Sequence, residues 1–283
     1  MSRLHVLSIF GVLMAVYIGY NLLSSFDEEL LRGKSILITG ASSGIGEQLA
    51  YKYARLGCRI LITARRRTLL EKVGETCMKL GAEQVEIVAF DMARYNAIDD
   101  IINEIKLNIG RLDYLILNHG LFYWESWDGN LSQLNYMMDV NFMSFVALTT
   151  KMLPFLNASN GGIAVVSSVA GKMGLPYMTH YSATKHALDG FFRSLRHELA
   201  LSSVDVSITI CTMGGIDTDH ALQASKHVLS AFWFRTSASD AAEYIVQSSA
   251  LRSTDVFFPW LDTMLQVCLI DRYFPWSIPY FHI

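Results

Sequence analysis

Cysteine is scarce in this chain. Only Cys58, Cys77, Cys211 and Cys268 occur among its 283 residues, far apart and with no C-x-x-C pair. That spacing excludes a disulfide framework and a paired-cysteine zinc site, and no metal centre is expected. The thiols read as ordinary buried side chains. A basic excess is missing too. Lys and Arg number 23 against 26 Asp and Glu, which leaves a net charge of −3 and no electrostatic footprint for nucleic acid. There is no internal repeat and no low-complexity tract. Charged residues make up only 17% of the chain while 52% is hydrophobic, more than a cytosolic enzyme usually carries, which points to a membrane-associated part. The length suffices for one large α/β domain with a well-buried core.

The longest stretch without charge is Leu4–Leu23, which holds no Asp, Glu, Lys or Arg. A helix of that length spans about 30 Å, the thickness of a bilayer core. Residues 1–24 are therefore expected to form an N-terminal membrane anchor. A cleaved signal peptide, which would make the protein secreted, is the alternative, although no small-x-small cleavage site follows. A buried core helix is the third reading. Arg3 before the span and Arg32 and Lys34 after it do not decide orientation. The sequons at Asn130-Leu131-Ser132 and Asn157-Ala158-Ser159 favour a lumenal body carrying glycans.

From residue 35 onward, short apolar runs alternate with helical patterns. Ser35–Thr39, Arg59–Ala64, Gln84–Ala89, Tyr114–Asn118, Gly162–Ser167 and Asp205–Cys211 read as strands. Gly44–Leu56, Arg67–Leu80, Ser132–Leu153 (stopped by Pro154) and Thr179–Leu201 read as helices. Near-continuous apolar strands between helices imply a parallel sheet covered on both faces. No linker divides the body, so residues 33–255 are expected to form one doubly wound, Rossmann-type α/β domain. Residues 256–283 form a hydrophobic C-terminal extension, rich in Phe, Trp and Tyr, expected to serve dimer or membrane contact.

Residues 39–46 read TGASSGIG between a strand and a helix. Gly40, Gly44 and Gly46 let the backbone turn tightly and approach a diphosphate, which the helix N-terminus then stabilises. The second strand ends Thr63-Ala64-Arg65-Arg66-Arg67, where a site for NAD would carry an acidic residue for the ribose. Guanidinium groups there favour a 2′-phosphate, so NADP(H) is the expected cofactor, with Arg65 and Arg66 as its contacts. Asp91 is placed to accept from the adenine amino group, and Asn118 to line the adenine-ribose floor.

Further on, YSATK at 181–185 puts Tyr181 and Lys185 one turn apart on the same helix face. A free phenol titrates near pH 10, too high for base work at neutrality. A nearby ammonium and an oxidised nicotinamide would lower it. Ser168 follows a buried strand and can donate to a substrate oxygen, and Asn141 can hold a water that serves Lys185.

With these segments the chain resembles the short-chain dehydrogenase/reductase superfamily from about Gly33 to Ala250, through TGASSGIG, Asp91, LNHG at 117–120, VNF at 140–142, VVSS at 165–168 and YSATK. ILITAR, LDYLILNH, SSVAGK, YSATKHALDGFF and VSITICTMGGIDT look like the 11β-hydroxysteroid dehydrogenase type 1 group. Within it, YARLG at 53–57 and FFPW at 257–260 look nearest the 1-like proteins. The resemblance implies a homodimer anchored in the endoplasmic reticulum membrane with a lumenal catalytic domain. It also implies NADP(H)-dependent interconversion of an 11-hydroxyl and an 11-ketone on a steroid. By it, Tyr181 is the acid/base, Ser168 polarises the carbonyl, Lys185 binds the nicotinamide ribose and Asn141 completes a proton relay. Ser168 and Tyr181 would also contact substrate. The implied cofactor contacts extend to Ser42, Ser43 and Ile45 of the turn, to Met92 and His119, and to Gly214, Ile216 and Thr218.

Some residues depart from the pattern. His119-Gly120 stands where the superfamily has Ala-Gly, and Met213-Gly214 where it has Pro-Gly. Ser43 replaces the Lys of many type 1 enzymes, and Leu175 replaces a substrate-contacting Tyr. The pocket is expected to be built by segments 120–130, 170–180 and 214–235. A broad carbonyl reductase, a retinol-type dehydrogenase and a non-catalytic nucleotide- or steroid-binding protein are the other readings.

Overall fold

Val, Ile and Leu dominate the strand segments, and branched side chains pack well on a pleated surface. In the computed structural model, which describes residues 27–218, 236–260 and 263, these segments form a seven-stranded sheet. Met1–Leu30 and Leu31–Ile283 are separate units. The span expected at Leu4–Leu23 lies outside the described residues, as does nearly all of the segment after Trp260. Among the described residues, no helix is long and apolar enough to cross a membrane.

The strands are β1 (Ser35–Thr39), β2 (Arg59–Ala64), β3 (Gln84–Ala89), β4 (Tyr114–Leu117), β5 (Gly162–Ser168), β6 (Ser207–Met213) and, after a short β7 (Ile216–Asp217) and β8 (Thr236–Ser237), β9 (Asp255–Phe258). The sheet order is β3-β2-β1-β4-β5-β6-β9, every pair parallel. Parallel neighbours need crossovers, and these are supplied by α1 (Gly44–Arg55), α2 (Arg67–Leu80), α3 (Asp99–Glu104), α4 (Leu131–Met138), α5 (Ser144–Ser159), α6 (Thr179–Leu201) and α7 (Ala238–Ala250). All five residues of β1 are buried, as an interior strand of a sheet covered on both faces must be. Leu37, Leu115, Leu117, Ile163, Val165, Ile208 and Ile210 join Ile101, Phe145, Leu148, Leu188 and Phe192 in one core beneath α3, α5 and α6. Helix α1 packs against both α2 and α7. This is the expected Rossmann-type domain.

Three features differ from the sequence reading. The helix expected at Ser132–Leu153 is two helices joined by a π-turn over Asp139–Met143, and Pro154 does not stop it. α5 runs five residues past Pro154 and buries Leu156, so core packing outweighs the lost hydrogen bond. It ends at Asn160, whose φ of 51° is left-handed. The sixth strand is set two residues later than Asp205–Cys211, at Ser207–Met213. And β9 takes Val256, Phe257 and Phe258 into the sheet, beyond the boundary expected at residue 255. Phe257 and Phe258 thus belong to the outer strand of the sheet.

In such a sheet, ligands bind beyond the carboxyl ends of the strands, where the order reverses. Here that point lies between β1 and β4, directly before Gly40 and Asn118.

Candidate active site

A cavity of about 660 Å³ opens at this switch point. Its floor is the turn after β1. Gly40 has φ 69° and Gly44 has φ 61°, a region that side chains rarely occupy. Space demands glycine as strongly. A Cβ on Gly40 would come within 2.8 Å of the His119 Cα, and one on Gly46 within 2.6 Å of the Asn118 Nδ2. α1 starts directly after the turn with Ser43 at its N-cap, and no side chain caps it. An uncapped helix N-terminus is the arrangement that holds a phosphate.

The Ser42 and Ser43 hydroxyls accept hydrogen bonds from the same Arg66 nitrogen, at 3.0 and 2.8 Å. Arg66 thus lies across the turn, and with Arg65 it lines the cavity. Asp91 lines it too, with one carboxylate oxygen accepting from the Ala93 N–H at 3.1 Å. Ile45, Met92, Gly214, Ile216 and Thr218 border the same space. Thr218 closes over the turn, its Cγ2 3.0 Å from where a Gly44 Cβ would sit.

Asn118 and His119 tie β4 to β1. The Asn118 amide donates to Thr39 Oγ1 at 2.9 Å, and its side chain donates to the Thr39 carbonyl at 3.0 Å. The buried His119 ring reaches Thr39 Oγ1 at 2.8 Å through Nδ1. Nε2 lies 3.0 Å from the Val140 carbonyl and 2.7 Å from Ser144 Oγ. Desolvation, with the Lys185 charge adding to it, pushes the imidazole down to about 3, so it is neutral. The neutral ring joins the end of β1 to the π-turn.

Tyr181 and Lys185 project from α6 into the cavity opposite the glycine turn. The ammonium of Lys185 donates to the Val166 carbonyl at 2.9 Å and stands 5.5 Å from the centre of the Tyr181 ring. Desolvation lowers its pKa to about 8. Burial raises the Tyr181 phenol to about 12, and a hydrogen bond with Ser168 offsets part of that rise. The polypeptide alone therefore keeps this phenol protonated, and the lowering expected from a neighbouring ammonium is not found in it. Ser168 Oγ also accepts from the Ala170 amide at 3.2 Å.

Asn141 does not line the cavity. It is fully buried in the π-turn, where its carboxamide accepts from the Leu121 amide at 2.7 Å and donates to the Leu121 carbonyl and Thr184 Oγ1 at 2.8 and 3.2 Å. Both of its N–H donors have protein partners, one of them the residue next to Lys185.

Around Ser168 and Tyr181 the wall is apolar. Phe122, Trp124, Val169, Leu175, Met178 and Met213 line it. Phe122 meets Tyr181 edge-on at 5.3 Å between ring centres and Trp124 at 6.0 Å. The segments 120–130 and 170–180 and Leu175 are the positions the sequence points to. Phe122 and Trp124 carry no motif that marks them, although residues 122–127 are dense in aromatic side chains. Among the described residues no cluster of metal-ligating side chains occurs.

The family model described as short chain dehydrogenase matches residues 34–229, the region that builds this cavity. The chain belongs to the short-chain dehydrogenase family. This short-chain dehydrogenase is 42% identical over 265 residues to the "Hydroxysteroid 11-beta-dehydrogenase 1-like protein" of Xenopus tropicalis, a match covering 93% of the chain and 91% of the relative. It is 44% identical over 248 residues to the protein of the same name in Gallus gallus, covering 87% and 86%. Among solved structures, a Mycobacterium paratuberculosis short chain dehydrogenase bound to NAD superposes with a TM-score of 0.72 at 21% identity, covering 83% of this chain and 99% of that one. An alcohol dehydrogenase from Thermococcus sibiricus complexed with 5-hydroxy-NADP gives 0.71 at 24% identity, covering 80% and 96%. These likenesses establish the fold.

Proposed function

We propose that this oxidoreductase uses NADP(H) to interconvert a hydroxyl and a ketone on a lipophilic substrate, specifically the 11-position of a cortisol- or cortisone-type steroid. The observation that carries the cofactor reading is Arg66, held over the glycine turn by Ser42 and Ser43. A fixed guanidinium beside the adenosine ribose suits a 2′-phosphate, and the two hydroxyls supply the orientation that a lysine at position 43 would not. The substrate reading draws on the apolar wall from Phe122 to Met178, which offers a flat hydrocarbon its main contacts, and on the names of the relatives.

The nicotinamide, when bound, supplies or accepts the hydride. The chain's own residues manage the oxygen. Ser168 donates to the substrate oxygen and Tyr181 delivers or removes its proton. Lys185, fixed by the Val166 carbonyl, holds positive charge beneath the phenol and is placed for the nicotinamide ribose. Asn141 holds the Leu121 backbone and Thr184 beside that lysine. The same wall also fits a retinoid or a small aromatic ketone, since among the described residues its stretch from Phe122 to Met178 lines the cavity with no charged side chain. We propose further that Leu4–Leu23 anchors the enzyme in the endoplasmic reticulum membrane with the body lumenal, and that it is a homodimer.

The test is turnover by the full-length protein in detergent, with cortisone, all-trans-retinal and 9,10-phenanthrenequinone, each with NADPH and NADH. Cortisone reduced in preference with NADPH is the expected result. Equal rates with both cofactors would remove the NADP(H) reading, and reduction of the quinone or retinal alone would replace the steroid.

A further inference from the structure

Helix α6 carries a third polar residue on the stripe of Tyr181 and Lys185. Asp189 follows Lys185 by four residues and is 7% exposed. A carboxylate so deeply placed is costly unless its oxygens are matched. One oxygen accepts from Ser167 Oγ at 3.1 Å. The other pairs with the Lys172 ammonium, and Arg193 Nε stands 3.9 Å from it. Ser167 and Lys172 bracket the segment that holds Ser168 and the 3-10 turn Val169–Gly171. Between them, Gly171 lies so close to α6 that a Cβ there would be 2.8 Å from the Lys185 carbonyl. The turn is thus fastened to the helix at two points by one side chain, with direct backbone contact in the middle. That contact falls at Lys185 itself.

We propose that Asp189 is a positioning residue. Its carboxylate clamps the turn bearing Ser168 onto the helix bearing Tyr181 and Lys185, and so sets the spacing of serine hydroxyl and phenol. Burying a charge pair for stability alone would not require that both partners flank the catalytic serine. The remaining charges around the pair are balanced elsewhere: Arg193 and Arg196 both reach Asp255 on β9, and Lys172 stands 6.0 Å over the Phe257 ring. The clamp is therefore a closed unit, in which the Asp189 oxygens serve Ser167 and Lys172 first. The proposal rests on the reading that Ser168 and Tyr181 act on one substrate oxygen.

The test compares Asp189→Asn, Ser167→Ala, their double variant and Tyr181→Phe in the full chain, with 9,10-phenanthrenequinone and NADPH as probes. Asp189→Asn is expected to lower kcat about ten- to a hundred-fold, the range over which misplacing a reacting group acts. NADPH affinity, read by quenching of tryptophan fluorescence, should stay within about two-fold. Ser167→Ala, which removes one hydroxyl and is the milder change, should lower kcat in the same direction, and the double variant should lose less than the product of the two losses. A kcat unchanged in Ser167→Ala and in a folded Asp189→Asn would overturn the clamp. So would a fall in Tm and NADPH affinity in step with kcat, because that marks general destabilisation. Activity retained by Tyr181→Phe would instead overturn the acid/base reading beneath it.

Discussion

Tyr181 stands in a setting that holds on to its proton. Burial raises the phenol to about 12, and only Ser168 pulls the other way. Reduction of a ketone needs a proton donor, so this state is ready for that direction, while oxidation needs the positive charge of an oxidised nicotinamide close by. Tyr181→Phe removes the proton and little else. Turnover should fall by at least about a hundred-fold, the usual weight of a general acid or base, with NADPH affinity near normal. More than a few per cent residual activity, measured by NADPH consumption, would contradict the assignment. At the ribose end, Arg65→Ala with Arg66→Ala should cost about ten- to a hundred-fold in NADPH affinity and leave NADH binding near its original value. A titration that shifts both cofactors alike would sink that reading. Residues of this kind were legible in the sequence because their types and spacing are themselves the signal: three glycines after a strand, a phenol and an ammonium one turn apart. Asn141 was legible as a residue but not in its bonding. Its partners Leu121 and Thr184 lie 20 and 43 positions away, and only folding brings them to it.

The end of β1, the end of β4 and the π-turn before α5 meet on the His119 ring. An unfolded histidine titrates near 6.5 and this one near 3, so below about pH 6.5 the unfolded chain takes up a proton that the folded one refuses. The stability due to a neutral His119 is therefore full above pH 6.5 and is lost progressively as pH falls toward 3. Urea unfolding at pH 7.0, 6.0 and 5.0 should show the wild type losing up to about 1.4 kcal/mol per pH unit more than His119→Gln. Parallel slopes would show that the ring does not report its burial in this way. Gly46→Ala tests the junction of turn and helix. The added methyl meets Gly40 and the Asn118 side chain, both held by the β1–β4 pair, so the turn must open. NADPH affinity should drop more than about ten-fold with the fold retained by circular dichroism, and wild-type affinity would contradict the tight packing. The sequence marks the existence of helices more clearly than their boundaries. Pro154 carries a strong local stop signal, but Met152 and Leu156 on either side are anchored in the core, and a π-turn leaves no compositional trace.

Over the whole molecule, hydrophobicity is unevenly distributed, and both ends of the chain hold much of it. Full-length protein in microsomes should stay in the pellet under alkaline carbonate with residue 1 or 2 at its N-terminus. An N-terminus near residue 25 would mean a cleaved leader. The sheet has a consequence for how the chain is made. Starting from β1, the order β3-β2-β1-β4-β5-β6-β9 lets each later strand dock on an edge that is already waiting. β2 and β3 extend one side, then β4, β5, β6 and β9 extend the other, and none has to wedge between two partners. A polypeptide leaving the ribosome, or emerging from a translocation pore, can therefore complete this sheet in the order of synthesis. Until Asp255–Phe258 arrives, however, the β6 edge has no partner strand, so the nascent domain carries that row of unpaired backbone until translation has passed residue 258.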